Sequence, residues 1–413
     1  MTAPIDEAIA RVHHDEWARV VAGLARRFGD LDVAEDATAE AFAAAVEHWR
    51  RNGVPPNPGG WLIITATRRA IDRLRRESHR DAKYQAASML IDNSPAVADG
   101  PIEDDRLRLV FTCCHPALSM EARVALTLRL VGGLTVGEIA SAFLVPETTL
   151  AQRITRAKRK IKAAHIPYLV PSATEVQRRL TGVLAVVYLI FNEGYLPSGG
   201  DENLRTDLSG EAIRLGRLLR ELLPSDGEVT GLLALMLLTG ARHAARVPPD
   251  GELVTLGDQD RSSWDRDQLV EGWALVRERL AAVDAGAAPP GRYQLLAAVN
   301  SVHTYAPSAN RTDWSQIVTL YDRLVEIEPS PVVRLNRAVA LSEYDGPAVG
   351  LAEVDRLTDA LADYHAFHAA RAHLLRLLGR TDEAVAAYDT AIRLAGNPAE
   401  QRYLARRRDE LRR

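Results

Sequence analysis

Apolar residues recur every three to four positions along almost the whole of this 413-residue chain, a pattern that leaves little room for anything but helices. That spacing lines one face of a helix, whereas a half-buried strand needs strict alternation. Aromatics make up only 6% of the residues, while Ala, Leu and Arg are abundant, a mixture that favours helix over sheet. The pattern fails where Pro and Gly gather. Residues 52–60 hold Pro55, Pro56 and Pro58 with Gly53, Gly59 and Gly60, and form a first loop. Asp92-Asn93-Ser94-Pro95 and Asp99-Gly100-Pro101 mark a linker over 86–103, and Ile166-Pro167 and Val170-Pro171 set a second boundary. Beyond it, helices are expected over 173–194, 208–223, 228–246 and 266–282. The expected fold is all-α, with two small helical domains at 1–85 and 104–168, a helical middle domain at 172–290 and a repeat region at 291–413.

The two cysteines, Cys113 and Cys114, are adjacent and cannot frame a disulfide scaffold, which points to a reducing cytoplasmic setting. No signal-peptide order is expected at the N-terminus. The apolar run 183–191 is far short of the roughly 18 residues of a membrane span, so no membrane partner is expected. Net charge is −4, but its distribution is uneven: 1–170 carry a net of +2 and the remainder a net of −6. Arg153, Arg156, Lys158, Arg159, Lys160 and Lys162 form a run of cations without an acid, and a second run, with Asp72 and Glu77 in it, holds Arg68, Arg69, Arg73, Arg75, Arg76 and Arg80. Two local basic stripes on a nearly neutral half point to nucleic acid better than whole-chain charge does.

The segment 134–161 carries the sharper signal. Thr135 caps a short helix and Glu138, three residues on, completes a capping box. Leu144-Val145-Pro146 make a turn, and a second helix places Leu150, Ile154, Ala157 and Ile161 on one apolar stripe. Thr148, Thr149, Gln152, Arg153, Arg156 and Lys158 lie off it. In a helix-turn-helix the start of the second helix enters the major groove, where Thr and Gln meet base edges and the cations neutralise phosphates. Upstream, the helix opening at Trp61 is expected to bury Ile63, Ile64, Ala66, Ala70, Ile71 and Leu74 and to present Arg68, Arg69, Arg73 and Arg76 to nucleic acid. Trp49 and Trp61 flank the loop before it and suit unstacked bases. Glu35, Asp36, Glu40 and Glu47 give the preceding helix an acidic side, suited to a protein partner.

These residues carry a resemblance. The acidic AEDATAEAF, the helix with WL and AIDRLRR, the linker and the helix-turn-helix ending in RAKRKI are together similar to sigma-70 family factors of the extracytoplasmic-function group, which have only regions 2 and 4. The segment FTCCHPAL with LTLRLVGGLT and the long helical extension resembles the subgroup with a C-terminal tetratricopeptide-like domain. The resemblance implies core RNA polymerase and promoter DNA as partners, and a role in directing the one to the −10 and −35 elements of the other. It puts Glu35, Asp36, Glu40 and Phe42 in the polymerase-docking helix, Trp61, Arg69, Asp72 and Arg73 in the −10 helix, and the helix-turn-helix at −35. Ala39 stands where Gln is common and Arg68 where Asn is common, which removes one polar contact and alters −10 base preference.

The last third repeats. Pro331 and His365 are separated by the tetratricopeptide period, Ala338 matches Ala372 and Leu341 matches Leu375 in that register, and Trp314, Tyr321 and Pro329 suggest an earlier unit. An extended surface of this kind fits a protein or peptide partner and a regulatory role. Three constellations are expected to be structural. Cys113-Cys114-His115 has poor geometry for zinc and reads as buried small side chains before a turn. Asn192-Glu193-Gly194-Tyr195 with Asp201, Glu202 and Asp207, and Asp258, Asp260 and Arg261 in LGDQDRSSWD, read as helix caps and local ion pairs, the latter leaving room for a ligand pocket in the middle domain. No catalytic set, cofactor or metal site emerges, so an enzyme is not expected. The competing reading is a stand-alone helix-turn-helix regulator with a helical-repeat oligomerisation or sensing domain, which has no use for the region 2-like half.

Overall fold

Several helices of this chain begin where a short polar side chain, such as Asp30, Ser119, Asp226, Asp265 or Ser330, satisfies the first free backbone N–H groups. A computed structural model describes residues 3–78, 105–143, 145–164, 166, 168, 173–195, 206–246, 253–286 and 288–412. The expected linker 86–103, the prolines at 167 and 171, Leu144 and the acids Asp201 and Glu202 lie outside the described residues. Among the described residues there is no strand, and no helix is long and apolar enough to cross a membrane.

The first three helices, α1 (Ala3–Phe28), α2 (Leu31–Asn52) and α3 (Pro58–Ser78), pack on one another. Asp30 caps α2 by accepting from the N–H groups of Asp32 and Val33 at 2.9 and 3.2 Å. Ala34, Ala37, Ala41 and Ala45 form the buried stripe of α2, small enough for α1 to lie close with Trp17, Val20, Val21 and Leu24. The turn after α2 needs Gly53, whose φ of 78° lies in the left-handed region that side chains avoid. Next come α4 (Asp105–Cys113), α5 (Met120–Leu126) running into a π-helical turn (Thr127–Val131), α6 (Val136–Ala142) and α7 (Glu147–Ala163). α1 also packs on α4 and the π-helical turn, so all seven helices belong to one body.

The chain divides into two compact units, 1–189 and 190–413, and the division falls inside α8 (Ala173–Tyr195). The second unit continues with α9 (Thr206–Leu222), α10 (Gly227–Gly240), α11 (His243–Arg246), α12 (Arg266–Asp284) and α13 (Arg292–Tyr305). α10 is apolar around its whole circumference and is buried from Val229 to Leu238, enclosed by α9, α12 and α13. Gly231 permits the closest of these approaches, because a Cβ there would come within 2.5 Å of the Gln294 backbone nitrogen on α13.

The unit ends with α14 (Trp314–Ile327), α15 (Pro331–Tyr344), α16 (Pro347–Asp355), α17 (His365–Leu377), α18 (Thr381–Leu394) and α19 (Pro398–Glu410). The starts of α15 and α17 are 34 residues apart, and so are those of α16 and α18, which matches the period expected from the sequence. Ala338, Leu341, Ala372 and Leu375 are all buried, as that register requires. Each helix packs on the next, and one apolar cluster runs from Leu335 on α15 to Leu404 on α19.

Candidate functional site

The helix-turn-helix is built as its local chemistry dictates. Glu138 accepts from the Thr135 N–H at 2.7 Å, and the Thr135 hydroxyl accepts from the Glu138 N–H at 3.2 Å, which is the reciprocal pair of a capping box. α7 then buries Leu150, Ile154, Ala157 and Ile161, the stripe expected from the sequence. Thr148, Thr149, Gln152 and Arg156 are exposed and Arg153 is half-buried. Arg156 donates to Gln152 at 3.4 Å along the same face. The start of α7 therefore offers hydroxyl, amide and guanidinium groups to solvent.

α3 differs from the wheel drawn for it. Its buried side is Leu62, Ala66 and Ala70, one residue per turn, whereas Ile63 and Ile64 are 38% and 55% exposed beside the arginines. Arg68, Arg69 and Arg76 are exposed and Arg73 is half-buried. Two of the four are engaged by α2: Arg73 pairs with Asp36, and Arg69 lies 3.9 Å from Glu40. The acidic and basic faces thus meet instead of serving separate surfaces. Trp49 is also corrected, since it is wholly buried and cannot meet a base. Trp61 is half-buried, edge-on to Trp49 at 5.4 Å and stacked on His48 at 5.8 Å. Phe42 is 6% exposed and packs on His13 and Trp17 at 4.7 and 5.7 Å, so its ring serves the α1–α2 core in this arrangement.

The expected docking helix and the expected recognition helix hold each other. Lys158, grouped by sequence with the cations facing DNA, is 9% exposed and donates to Asp32 at 2.8 Å and also to Glu35. Glu35, 6% exposed, accepts from Arg129 on the π-helical turn at 2.5 Å, and Arg129 lies over the Trp17 ring. Lys162 adds a contact to Asp30 at 2.9 Å. Burial works against the Lys158 charge, yet Glu35 and Asp32 outweigh it and raise its pKa. Desolvation likewise opposes ionisation of Asp30, and the hydrogen bonds from Lys162, Val33 and Asp32 prevail to lower its pKa. Arg129 and the burial of Glu35 were not singled out from sequence; the acid run of α2 and the cation run of α7 were both visible, but not that they pair.

The other constellations settle into structural roles. Cys113 and Cys114 are buried, with burial pushing the Cys114 thiol up to about 11 and Cys113 well above the ordinary range, so neither is a ready nucleophile. Asp258 accepts from the Thr255 hydroxyl at 2.6 Å, and Asp260 caps the 3-10 turn Arg261–Ser263 through the Ser262 N–H at 2.9 Å. Both act as the expected local caps.

Family models match three segments of the chain. Sigma-70 region 2 matches residues 14–80, sigma-70 region 4 matches 108–161, and a family of unknown function (DUF6596) matches 179–280. An uncharacterized protein of Rhizobium meliloti is 42% identical over 399 residues, covering 95% of this chain and 93% of its own length. The ECF RNA polymerase sigma factor SigK of Mycobacterium ulcerans is 31% identical over 163 residues, 38% of this chain and 84% of its own. The probable ECF RNA polymerase sigma factor SigI of Mycobacterium tuberculosis is 30% identical over 146 residues, 34% of this chain and 50% of its own. No solved structure matches. A capped helix-turn-helix preceded by an acidic and a basic helix, in the order and spacing of regions 2 and 4, is thus found where the relatives align, and the chain belongs to the sigma-70 family, in its extracytoplasmic-function group.

Proposed function

We propose that the protein is an RNA polymerase sigma factor that brings core polymerase to promoters, and that residues 172–413 regulate this act without performing chemistry. The observation that carries the reading is the capped helix-turn-helix whose recognition helix turns Thr148, Thr149, Gln152, Arg153 and Arg156 to solvent, behind a region 2 body with Arg68, Arg69 and Arg76 exposed. Thr149 and Gln152 would read −35 base edges, the arginines would neutralise phosphate, and Trp61 with the α3 arginines would face the −10 element. The protein acts in the cytoplasm, where polymerase and promoter are. A stand-alone regulator has no use for the region 2 body, so that alternative is set aside.

The pairing of Glu35 with Lys158 and Arg129 adds a step. Glu35 is expected to dock on polymerase and Lys158 to lie near DNA, and neither can do so while each buries the other. The ion pairs support a closed state of the first unit that must separate when polymerase or promoter competes for these charges. Run-off transcription from genomic fragments tests the function. Promoter-specific transcripts are expected only when core polymerase and the protein are both present; no transcript together with no core binding overturns it.

A further inference from the structure

The second unit contains three arginines that no acid among the described residues neutralises. Arg242 follows the C-terminal end of α10 and is 9% exposed; Arg246 ends α11; Arg261 opens the 3-10 turn. Among the described residues no carboxylate lies within ion-pair distance of any of them. Arg242 donates to the Asn300 side-chain oxygen at 3.0 Å, and Arg261 to the backbone oxygens of His303 and Ala306 at 2.9 and 2.8 Å. Arg246 lies over the Tyr195 ring at 5.1 Å and Arg261 over Trp264 at 4.6 Å. Arg246 is also felt at longer range by Glu400, whose carboxylate is already paired with His365 at 3.3 Å. The three are neighbours: burial, with Arg246 and Arg261 adding to it, lowers the pKa of Arg242, and burial with Arg242 and Arg261 pushes His303 down to about 4.

The donors are also left over. Arg242 Nε, Arg246 Nε and Arg261 Nη2 are each buried without a hydrogen-bond partner, as are the Tyr195 hydroxyl and the Trp264 indole N–H. A buried donor without a partner is costly, and a buried guanidinium without a counter-charge more so. The C-terminal dipole of α10 supplies at most about half a negative charge. The surroundings hold the groups in place: the Val254 N–H reaches the Arg246 carbonyl at 2.8 Å, and the Asp265 N–H reaches the Ala241 carbonyl at 2.9 Å. With Arg242 buried, Arg246 and Arg261 half-buried, and one guanidinium nitrogen of each buried without a partner, the cluster has the chemistry of an oxyanion site.

We propose that Arg242, Arg246 and Arg261 bind the phosphoryl group of a small phosphorylated molecule, with Tyr195 and Trp264 as aromatic flanks. Guanidinium forks match phosphate oxygens in pairs, and three positive charges suit a dianion better than a single carboxylate. The site lies wholly within the second unit and is independent of the promoter reading.

Thermal unfolding of the full chain tests it, in chloride and at equal ionic strength with inorganic phosphate, pyrophosphate or citrate. Pyrophosphate or phosphate is expected to raise the midpoint saturably, citrate less. Arg242→Gln and Arg261→Gln should each weaken that response at least ten-fold, while Arg393→Gln, on an exposed part of α18, leaves it intact. In chloride alone Arg242→Met should not lower the midpoint, because it removes an uncompensated buried charge. If Arg242→Gln fails to fold, half-buried Arg261→Gln carries the test. The proposal is overturned if no saturable phosphoryl response exists, if the arginine variants respond like the parent protein, or if the response is lost instead in Arg153→Ala/Arg156→Ala, which would locate it on the DNA-facing helix.

Discussion

Glu35 shows how far one side chain can set the state of the first unit. Its carboxylate lies between Arg129 and Lys158 and is almost wholly buried, so its energetics are those of an interior ion pair, where losing one partner strands the other. Glu35→Ala should destabilise the first unit by about 3–5 kcal/mol in urea unfolding, and Glu35→Gln combined with Lys158→Met should recover part of that loss. Asp32, more than half exposed, adds little. The raised pKa of Lys158 fixes the sign of the pH effect. Its contribution is complete below the unfolded lysine value of about 10.4 and fades as pH rises through the folded value. The parent protein should therefore lose more stability on alkaline titration than Lys158→Met does. On the exposed face of α7 the effects should divide by chemistry. Arg153→Ala or Arg156→Ala should each reduce the salt slope of −35 binding by about one, whereas Thr149 or Gln152 substitutions should change base preference by about 1–3 kcal/mol. A uniform, sequence-independent loss from all four would remove α7 from the groove.

Between helices, the contacts most open to test are those that tie neighbours in the repeat region. His365 at the start of α17 reaches Glu400 on α19 at 3.3 Å, and the hydrogen bond that its Nε2 donates to the carboxylate raises the imidazole pKa while lowering that of the acid. The histidine share is therefore present below about pH 6.5 and lost as pH rises through the folded value; the acid share is lost as pH falls through the folded Glu400 value. Thermal midpoints measured from pH 6 to pH 9 should fall more for the parent protein than for His365→Gln, by about 1 kcal/mol or less in stability for a half-buried pair that solvent still screens. The sequence foretold such elements well where the cause was local. The Thr135–Glu138 box spans one turn, and the repeat register rests on small residues recurring at one spacing. It misleads where the apolar face of α3 is wider than its contact: Ile63 and Ile64 read as buried from the pattern, but Leu62, Ala66 and Ala70 are the residues that the helix buries. It was silent where partners are distant, since Lys158 and Glu35 are 123 residues apart. The arginine cluster draws on α8, α10, α11, the 3-10 turn and α13, and no periodicity reports such a meeting.

At the scale of the whole molecule, one chain carries a unit with sigma-70 regions 2 and 4 and a second, helical unit, and the division between them falls within α8. α8 begins in the first unit, where Arg179 and Glu175 lie close enough to His115 to affect its charge and a Cβ at Gly182 would come 3.5 Å from Arg123, and it ends in the second with Phe191 and Tyr195 stacked at 5.7 Å. The proposed regulation by the C-terminal unit is open to a direct test. Two truncations separate its effects. Ending the chain after Pro171 removes α8 and everything beyond it; ending it after Leu189 keeps the part of α8 that belongs to the first unit. If the C-terminal unit regulates, both soluble truncations should differ from the full chain in run-off transcription at equal concentration, and in the same direction. If only the shorter form differs, α8 is a structural part of the first unit and the remainder is dispensable for output. Equal transcription by all three forms, in cells and with purified polymerase, would reject a regulatory role for residues 172–413.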